Sequence, residues 1–314
     1  MSKVLVIGAA GMIGRKLVPA LAQEDLILHD VVPFEGASAV SDLSQPGEAE
    51  KLVAARPDLI FHLAAVVSGE AEADFDKGYR VNLEGTQRLF AAIRKASYRP
   101  RVVFTSSIAV FGAPFPEAID DEFLSAPLTS YGTQKAIGEL LLADYSRRGF
   151  MDGIGIRLPT ICVRPGKPNQ AASGFFSGII REPLAGQEAV LPVPETVRHW
   201  FASPRAAVGF LLHASKLDTE QLGARRNLNL PGLSLTVAEQ IEALRKVAGD
   251  KVAQRIRREP DATIQRIVEG WPRNFDARRA AALGFRADAS FEDIIRIHIE
   301  DELQRTPEPR PGCA

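Results

Sequence analysis

Short apolar runs without polar interruption alternate, over the first half of the chain, with segments whose apolar residues recur every three or four positions. An uninterrupted run is typical of a strand buried on both faces of a parallel sheet, and the longer period is typical of an amphipathic helix. The alternation therefore predicts an α/β fold with a parallel sheet between layers of helices. The runs lie at residues 4–7, 26–29, 59–65, 102–104 and 154–158.

The pattern changes after Thr160, where glycine, proline and scattered polar residues occupy residues 164–194 around a short helical segment. An apolar run near Leu228 predicts a strand that returns to the sheet. Thr236 and Glu239 form a capping-box sequence, which predicts the start of a helix. The predicted division is a sheet domain at residues 1–160 with a return segment near 203–248, a substrate-binding lobe at 161–202 and 249–305, and a flexible tail at 306–314.

Three glycines follow the first apolar run, and a helical pattern begins directly after them. Glycines let the backbone turn sharply and approach a pyrophosphate, and a helix N-terminus offers unpaired N–H groups at the positive end of its dipole. The order of strand, glycine turn and helix therefore predicts a dinucleotide-binding loop. Its spacing is GxxGxxG instead of the more usual GxGxxG. The candidate residues of this loop are Gly8, Gly11, Met12, Ile13 and Gly14.

Asp30 ends the second apolar run, 22 residues beyond Gly8. An acidic side chain at this point accepts hydrogen bonds from the adenosine ribose hydroxyls and repels a 2′-phosphate. Because no arginine directly follows Asp30, the pattern favours NAD over NADP. Farther along, Asp42 is a candidate acceptor for the amino group of the adenine, with Leu43 beside it.

Small and hydroxyl-bearing residues follow two further runs. Leu63, Ala64 and Ala65 close one of them, and Ser107 follows the next. Since the carboxyl ends of parallel strands share the edge where open α/β sheets bind ligands, these residues are expected at the site. Ser68 lies in a loop at the same edge.

Tyr131 and Lys135 stand four residues apart in a predicted helix, so both side chains project from one helix face. A cation beside a phenol favours the phenolate, and we therefore expect a lowered pKa for Tyr131 and a role in proton transfer. The alternative is a half-buried aromatic residue next to a solvated cation, which is the commoner meaning of this spacing. The independent glycine loop, Asp30 and Ser107 favour the catalytic interpretation.

Charge and composition narrow the possible partners. The net charge is −1 at pH 7, which argues against a nucleic-acid or membrane-surface partner. The two cysteines give no indication of a disulfide framework, and the five histidines show no metal-ligand spacing. The sequence contains no apolar stretch long enough to predict a membrane span. These features lead us to expect a cytoplasmic location. Apolar positions on the helix of Tyr131 exceed one narrow stripe, which predicts a homodimer through this helix.

Taken together, these motifs resemble the extended short-chain dehydrogenase/reductase family. The resemblance implies a doubly wound, seven-stranded Rossmann sheet with a small C-terminal α/β lobe, and NAD as the cofactor. It implies that Tyr131 is the general acid/base, that Lys135 holds the nicotinamide ribose and that Ser107 positions the reacting oxygen. It also assigns Asn82 and Pro159 to the cofactor site. The matching segments are the GxxGxxG loop, Asp30, Asp42-Leu43, His62–Ala65, Asn82–Thr86, Ser106-Ser107, Val110–Gly112, Tyr131, Lys135 and residues 276–285.

Most members of that family act on nucleotide-activated sugars, and the chain departs from them at two positions. Thr160 stands where those enzymes usually have an asparagine, and Phe111 replaces the usual tyrosine. Residues 64–82 and 157–186 resemble a particular branch, the D-erythronate dehydrogenases, which oxidise a four-carbon sugar acid at its 2-hydroxyl. The resemblance therefore implies NAD-dependent oxidation of a small sugar acid.

A sugar-acid carboxylate requires a cation or several hydrogen-bond donors. A solvated surface position is an equally good interpretation for five of the candidates: Ser68, Asn169, Ser173, Arg181 and Arg198. Two other functions remain open: a nucleotide-sugar 4-epimerase or dehydratase with tightly bound NAD, and a non-catalytic NAD-sensing protein. The candidate substrate-binding residues are Ser68, Ser107, Thr160, Asn169, Ser173, Arg181 and Arg198.

Overall fold

A computed structural model describes residues 1–166 and 173–304 of the chain. The strands, numbered in chain order, are β1 (Lys3–Ile7), β2 (Asp25–Asp30), β3 (Ala39–Val40), β4 (Leu59–His62), β5 (Arg101–Ser107), β6 (Asp152–Leu158), β7 (Thr160–Ile161), β8 (Ala189–Leu191), β9 (Arg198–Ala202), β10 (Asn227–Asn229), β11 (Leu233–Thr236) and β12 (Ile256–Arg258).

Helices connect and cover these strands. The α-helices are α1 (Met12–Leu17), α2 (Glu48–Ala54), α3 (Ser68–Ala73), α4 (Phe75–Gly78), α5 (Gly85–Lys95), α6 (Ser130–Arg147), α7 (Gly174–Leu184), α8 (Pro204–Lys216), α9 (Val237–Ala248), α10 (Asp250–Ala253), α11 (Ala262–Glu269), α12 (Arg278–Ala282) and α13 (Phe291–His298). Among the described residues, no helix is both long and apolar enough to cross a bilayer.

Seven parallel strands form the main sheet in the order β10-β6-β5-β4-β1-β2-β3. The central strands are buried on both faces, as their uninterrupted apolar runs predicted. The doubly wound parallel sheet of seven strands is thus confirmed. The strand order reverses at β1, which pairs with β2 on one side and with β4 on the other. A reversal of this kind opens a crevice at the carboxyl ends of the strands.

A smaller lobe surrounds its own apolar core. Strands β11, β9 and β7 form one small sheet, and β12 pairs with β8. The core of the lobe includes Phe176, Phe201 and Ile241. Strand β10 returns to the main sheet, whereas β11 and α9 pack with the lobe. The predicted residue boundaries of the two domains stay a prediction, and the predicted tail at 306–314 lies outside the described residues.

Candidate active site

The glycine loop between β1 and α1 is tightly packed. Gly8 has a φ of +91°, and a Cβ there would lie 2.6 Å from the backbone nitrogen of Ala64. A Cβ at Gly14 would lie 2.6 Å from the carbonyl oxygen of Ala9. The helix begins at Met12 with Gly11 as its N-cap, and no side chain caps it. The loop therefore exposes backbone N–H groups at the carboxyl edge of β1, in a cradle that only glycines permit.

Asp30 lies at the end of β2 beside this loop. Its Oδ2 accepts a hydrogen bond of 2.9 Å from the backbone N–H of Ala10, and its Oδ1 accepts one of 2.7 Å from Val31. These bonds fix the orientation of the carboxylate while the side chain remains half-buried. Oδ1 also accepts a hydrogen bond of 3.2 Å from the backbone N–H of Val32, so Oδ2 is the oxygen that retains a lone pair and can still accept a hydrogen bond from a ribose.

Asp42 is more heavily engaged than the sequence suggested. Its Oδ1 accepts hydrogen bonds from the backbone N–H and the hydroxyl of Ser44, and its Oδ2 pairs with Arg80. Burial acts to raise the pKa of Asp42, but the bonds from Ser44 and Arg80 outweigh it, so the pKa lies below its ordinary value. Leu43 is buried in the core beneath β1 and β4. An adenine amino group would therefore share Asp42 with three internal donor groups, two from Ser44 and one from Arg80.

Asn82 lies beneath the site. Its Oδ1 accepts from the backbone N–H of Val66, and its Nδ2 donates to the carbonyl of Val66 and to Oε1 of Gln134. With 2% of its surface exposed, the amide braces the loop that carries Ala64 and Ala65 against helix α6. Its predicted part in cofactor binding stays a prediction.

The catalytic candidates meet where β5 ends and α6 begins. Thr129 caps α6 by accepting from the N–H of Gly132, so that Tyr131 lies in the first turn of the helix. A Cβ at Gly132 would collide with the carbonyl of Ala109 in the turn after β5. Glycine thus allows α6 to pack directly on the turn that follows Ser107. The Ser107 hydroxyl acts to lower the pKa of the Tyr131 phenol.

Lys135 forms its hydrogen bond with the main chain of β5. Its Nζ donates a hydrogen bond of 2.8 Å to the carbonyl of Thr105 and lies 5.7 Å from the centre of the Tyr131 ring. The ammonium also lies 4.9 Å from the ring centre of Phe104 and is 2% exposed. Burial lowers the pKa of Lys135 to about 8, although Glu139 one turn further along the helix acts to raise it.

The predicted lowering of the Tyr131 pKa by Lys135 is wrong for the free protein. Burial raises the pKa of Tyr131 above its ordinary value, because the charged phenolate loses solvation. The groups that oppose this effect are the guanidinium of Arg164 and the hydroxyl of Ser107. Sequence analysis missed Arg164, and the available signal was a charged residue at the end of the apolar run Ile161-Cys162-Val163.

A second feature that the sequence did not reveal is a buried network behind Lys135. Arg157 on β6 makes a bidentate ion pair with Glu139, with bonds of 2.9 and 2.7 Å. Ser106 on β5 donates to the same carboxylate at 2.5 Å. Because one carboxylate binds residues of two strands, helix α6 is held in a fixed position over the sheet.

The candidate substrate residues fall into different settings. Thr160 bonds to Nε2 of His199 at 2.7 Å, and Nδ1 of that ring lies 2.9 Å from the carbonyl of Pro272. The carbonyl accepts from Nδ1–H, so Nε2 must accept from Thr160. The Thr160 oxygen can then only accept a further hydrogen bond.

Ser68 and Ser173 lie half-buried at the starts of α3 and α7, and Asn169 lies outside the described residues.

Arg181 and Arg198, the two arginines predicted to meet a carboxylate, have internal partners. Arg181 pairs with Glu182 and donates to the carbonyl of Arg164. Arg198 pairs with Glu239 and donates to the carbonyl of Ser234. Both guanidinium groups thus support elements of the lobe, and the structure gives neither an interaction with Tyr131.

Comparison with known proteins adds an independent line of information. Residues 4–221 match the model of the NAD dependent epimerase/dehydratase family. The chain is 50% identical to the D-erythronate dehydrogenase of Cupriavidus necator, across 95% of this chain and 98% of that protein. It is 41% identical to the D-erythronate dehydrogenase of Haemophilus influenzae, across 96% of this chain and 100% of that protein. A crystal structure described as a nucleoside-diphosphate-sugar epimerase from Agrobacterium tumefaciens superposes with a TM-score of 0.92, at 65% identity, across 96% of this chain and 94% of that one.

Proposed function

The chain belongs to the NAD-dependent epimerase/dehydratase family, and we propose that it oxidises D-erythronate at the 2-hydroxyl with NAD⁺ as the hydride acceptor. The observation that carries this proposal is the identity of 50% and 41% to two D-erythronate dehydrogenases over nearly their whole lengths. The placement of Tyr131 and Ser107 at the carboxyl edge of the main sheet supports it, because this edge is also where the glycine loop opens.

The described residues fit a dinucleotide. The cradle of Gly8 and Gly14 would be filled by a Cβ at either position, and it lies next to the carboxylate of Asp30. When bound, NAD⁺ accepts the hydride from the carbon that carries the hydroxyl. The backbone N–H groups at Met12 and Ile13 would face the pyrophosphate, and Asp30 would accept hydrogen bonds from the adenosine ribose.

The protein's own contribution is proton transfer and orientation. Tyr131 removes the proton of the 2-hydroxyl, and Ser107 donates a hydrogen bond to the oxygen as it becomes a carbonyl. Arg164 and Ser107 favour the phenolate, against the burial that raises the pKa of Tyr131. Lys135 is anchored on the carbonyl of Thr105, and its remaining N–H groups are available to the nicotinamide ribose.

One relative favours a second candidate function. The Agrobacterium tumefaciens structure, at 65% identity, is described as a nucleoside-diphosphate-sugar epimerase. Epimerisation would use the same tyrosine but would regenerate NAD⁺ within each turnover. Thr160, which replaces the asparagine usual in nucleotide-sugar enzymes, argues for the sugar acid.

A substrate panel separates the two functions. With NAD⁺ and a set of four-carbon sugar acids, we expect NADH absorbance to rise, and D-erythronate to give the highest kcat/KM. Nucleotide sugars such as UDP-glucose are expected to show neither binding nor interconversion. Interconversion of nucleotide sugars, without NADH formation from any sugar acid, would refute the dehydrogenase proposal.

Asp30 is expected to select NAD over NADP. Replacing it with asparagine keeps an acceptor for the N–H of Ala10 and removes the charge that repels a 2′-phosphate. We expect the ratio of kcat/KM for NAD⁺ to that for NADP⁺ to fall by about tenfold, which corresponds to about 1.4 kcal/mol. Asp25→Asn, at the exposed start of the same strand, is the control. An unchanged ratio in Asp30→Asn would remove Asp30 as the selector.

We also propose a homodimer through α6. Leu140 on this helix is 71% exposed although it is a large apolar residue. A single exposed leucine is ordinary, so the test must be direct. Light scattering is expected to give twice the chain mass for the wild type and a shift toward the monomer for Leu140→Glu. A monomeric wild type at micromolar concentration would contradict the proposal.

A further inference from the structure

Helix α6 carries a buried carboxylate one turn beyond Lys135. Glu139 follows Lys135 by four residues, so the two side chains leave the same face of the helix with their Cβ atoms about 5–6 Å apart. Both residues are almost completely buried, at 2% exposure for Lys135 and 3% for Glu139. Burying a charge is costly unless it is paired and hydrogen-bonded, so both groups must be compensated within the fold.

The two side chains bind adjacent residues of β5. Nζ of Lys135 donates a hydrogen bond of 2.8 Å to the carbonyl of Thr105. The hydroxyl of Ser106 donates one of 2.5 Å to Oε1 of Glu139. Ser107, whose hydroxyl is proposed to orient the reacting oxygen, is the next residue of the strand. The two bonds therefore fix α6 on β5 directly before that hydroxyl.

Arg157 holds the carboxylate of Glu139 from the neighbouring strand. Its Nε and Nη2 donate to the two carboxylate oxygens at 2.9 and 2.7 Å. In the register of β5 and β6, Arg157 is the residue paired with Ser106. Because three charge-assisted hydrogen bonds from two strands meet on one carboxylate, Glu139 has a fixed position relative to the end of the sheet.

The titratable groups that face Lys135 differ in charge. His62 on β4 is neutral, because burial lowers its pKa to about 3. Tyr131 is neutral near pH 7, because burial raises the pKa of the phenol. Glu139 acts to raise the pKa of Lys135, which burial lowers to about 8. Arg157 is a second buried cation that binds the same carboxylate.

We propose that Glu139 is a positioning residue for cofactor binding: held by Ser106 and Arg157, it keeps Lys135 on β5 as a charged donor to the nicotinamide ribose. The inference rests on the proposed function in one respect, which is the contact of Lys135 with that ribose. It adds that the charge of the lysine depends on a carboxylate in the next turn of the helix and on the arginine that competes for this carboxylate.

The two partners of the buried ion pair give opposite predictions for Lys135, whereas a purely structural pair would give none. Glu139→Gln removes the negative charge, so we expect the pKa of Lys135 to fall from about 8 by about one pH unit. Arg157→Met removes the competing cation, so we expect the pKa of Lys135 to rise. The pKa is measured by NMR of ¹³C-labelled lysine in the protein without ligands, and the signal missing from Lys135→Met identifies the residue.

A double variant and a surface variant complete this set. Loss of one member of a buried ion pair destabilises a fold, whereas Glu139→Gln combined with Arg157→Met leaves no unpaired charge at the pair. In this double variant the pKa of Lys135 is expected to lie below the wild-type value. Asp144→Asn, at an exposed ion pair on the same helix, is the matched control and should leave the pKa of Lys135 unchanged.

Binding of NADH connects the charge of Lys135 to the cofactor. A fall in pKa of about one pH unit reduces the charged fraction of Lys135 at about pH 8 from about one half to about one tenth. We therefore expect Glu139→Gln to bind NADH about fivefold more weakly than the wild type at about pH 8. At about pH 6 the lysine is charged in both proteins, and the affinities should agree within about twofold. An equal loss of affinity at both pH values would overturn the inference, because it would report damage to the fold.

The outcomes separate this inference from the proposed function. If Lys135→Met binds NADH more weakly but the pKa of Lys135 is the same in Glu139→Gln and in the wild type, this inference alone is overturned. Shifts of the pKa in the same direction in Glu139→Gln and Arg157→Met would also overturn it, because they would report a general loss of packing. Wild-type affinity for NADH in Lys135→Met would overturn the role of Lys135 in the proposed function, and this inference with it.

Discussion

Replacing Tyr131 with phenylalanine is expected to lower kcat/KM for D-erythronate by about 1000-fold or more, within the usual range for loss of a general base. The ring and its packing in the first turn of α6 are kept, and only the hydroxyl is lost. Binding of NADH, followed by its fluorescence, is expected to stay within about threefold of the wild type, because the glycine loop and Asp30 are untouched. Steady-state kinetics of the purified protein gives kcat/KM, and titration of the purified protein gives the affinity for NADH.

The pH profile adds a sharper readout for Tyr131. Burial raises the pKa of the phenol, so the base form is scarce at neutral pH in the free protein. In the wild type kcat/KM is therefore expected to rise with pH until the phenol of the cofactor complex is ionised, and this rise should be absent from Tyr131→Phe. Tyr145→Phe, farther along the same helix and packed against Phe90 and Phe150, is the control and should retain the wild-type profile. Activity above about one tenth of wild type in Tyr131→Phe would exclude the phenol as the base.

Replacing Lys135 with methionine is expected to separate activity from stability. We expect kcat/KM to fall by about 100- to 1000-fold and NAD⁺ to bind more weakly, because the cation proposed to hold the nicotinamide ribose is lost. The free energy of unfolding near pH 7 is expected to change by less than about 2 kcal/mol. The carbonyl of Thr105 loses its donor, but a cation with 2% exposure is replaced by an apolar chain of similar length.

The pH dependence of stability tests this account of Lys135. The pKa is about 8 in the folded protein and 10.5 for an ordinary lysine. Between these values the unfolded chain binds a proton that the folded protein has released, so the free energy of unfolding rises with pH in this window. The wild type should gain on the order of 2 kcal/mol over Lys135→Met between about pH 7 and about pH 9.5. Parallel stability curves for the two proteins would show that Lys135 is not desolvated in the fold.

Local motifs explain why much of the site could be predicted. A glycine loop between a strand and a helix, an acidic residue at the end of the next strand, and two residues four apart on a helix each depend on short stretches of chain. The structure places Gly8, Asp30, Ser107 and Tyr131 at one edge of the sheet, because the carboxyl ends of parallel strands coincide there.

The prediction that Lys135 lowers the pKa of Tyr131 failed for a reason that the four-residue spacing of the two side chains could not reveal. Four residues on a helix place Tyr131 and Lys135 on the same face, yet the direction of the lysine is decided by the carbonyl of Thr105 on β5. The groups that act to lower the pKa of the phenol come from other parts of the chain: Ser107 from β5 and Arg164 from the segment after β7. Similarly, the sequence offered Arg181 and Arg198 as candidates for binding the substrate's carboxylate. In the folded chain these arginines form ion pairs with Glu182 and Glu239.

The sequence by itself determined the parallel α/β sheet, and it predicted the dinucleotide loop and the residues proposed for proton transfer, since each of these follows from hydrophobic period or short-range spacing. Only the tertiary structure decided which cation acts on the pKa of Tyr131, that burial opposes its ionisation, and which arginines are engaged by carboxylates. These properties depend on desolvation and on contacts between residues distant in the chain, and both arise only when the lobe packs against the sheet.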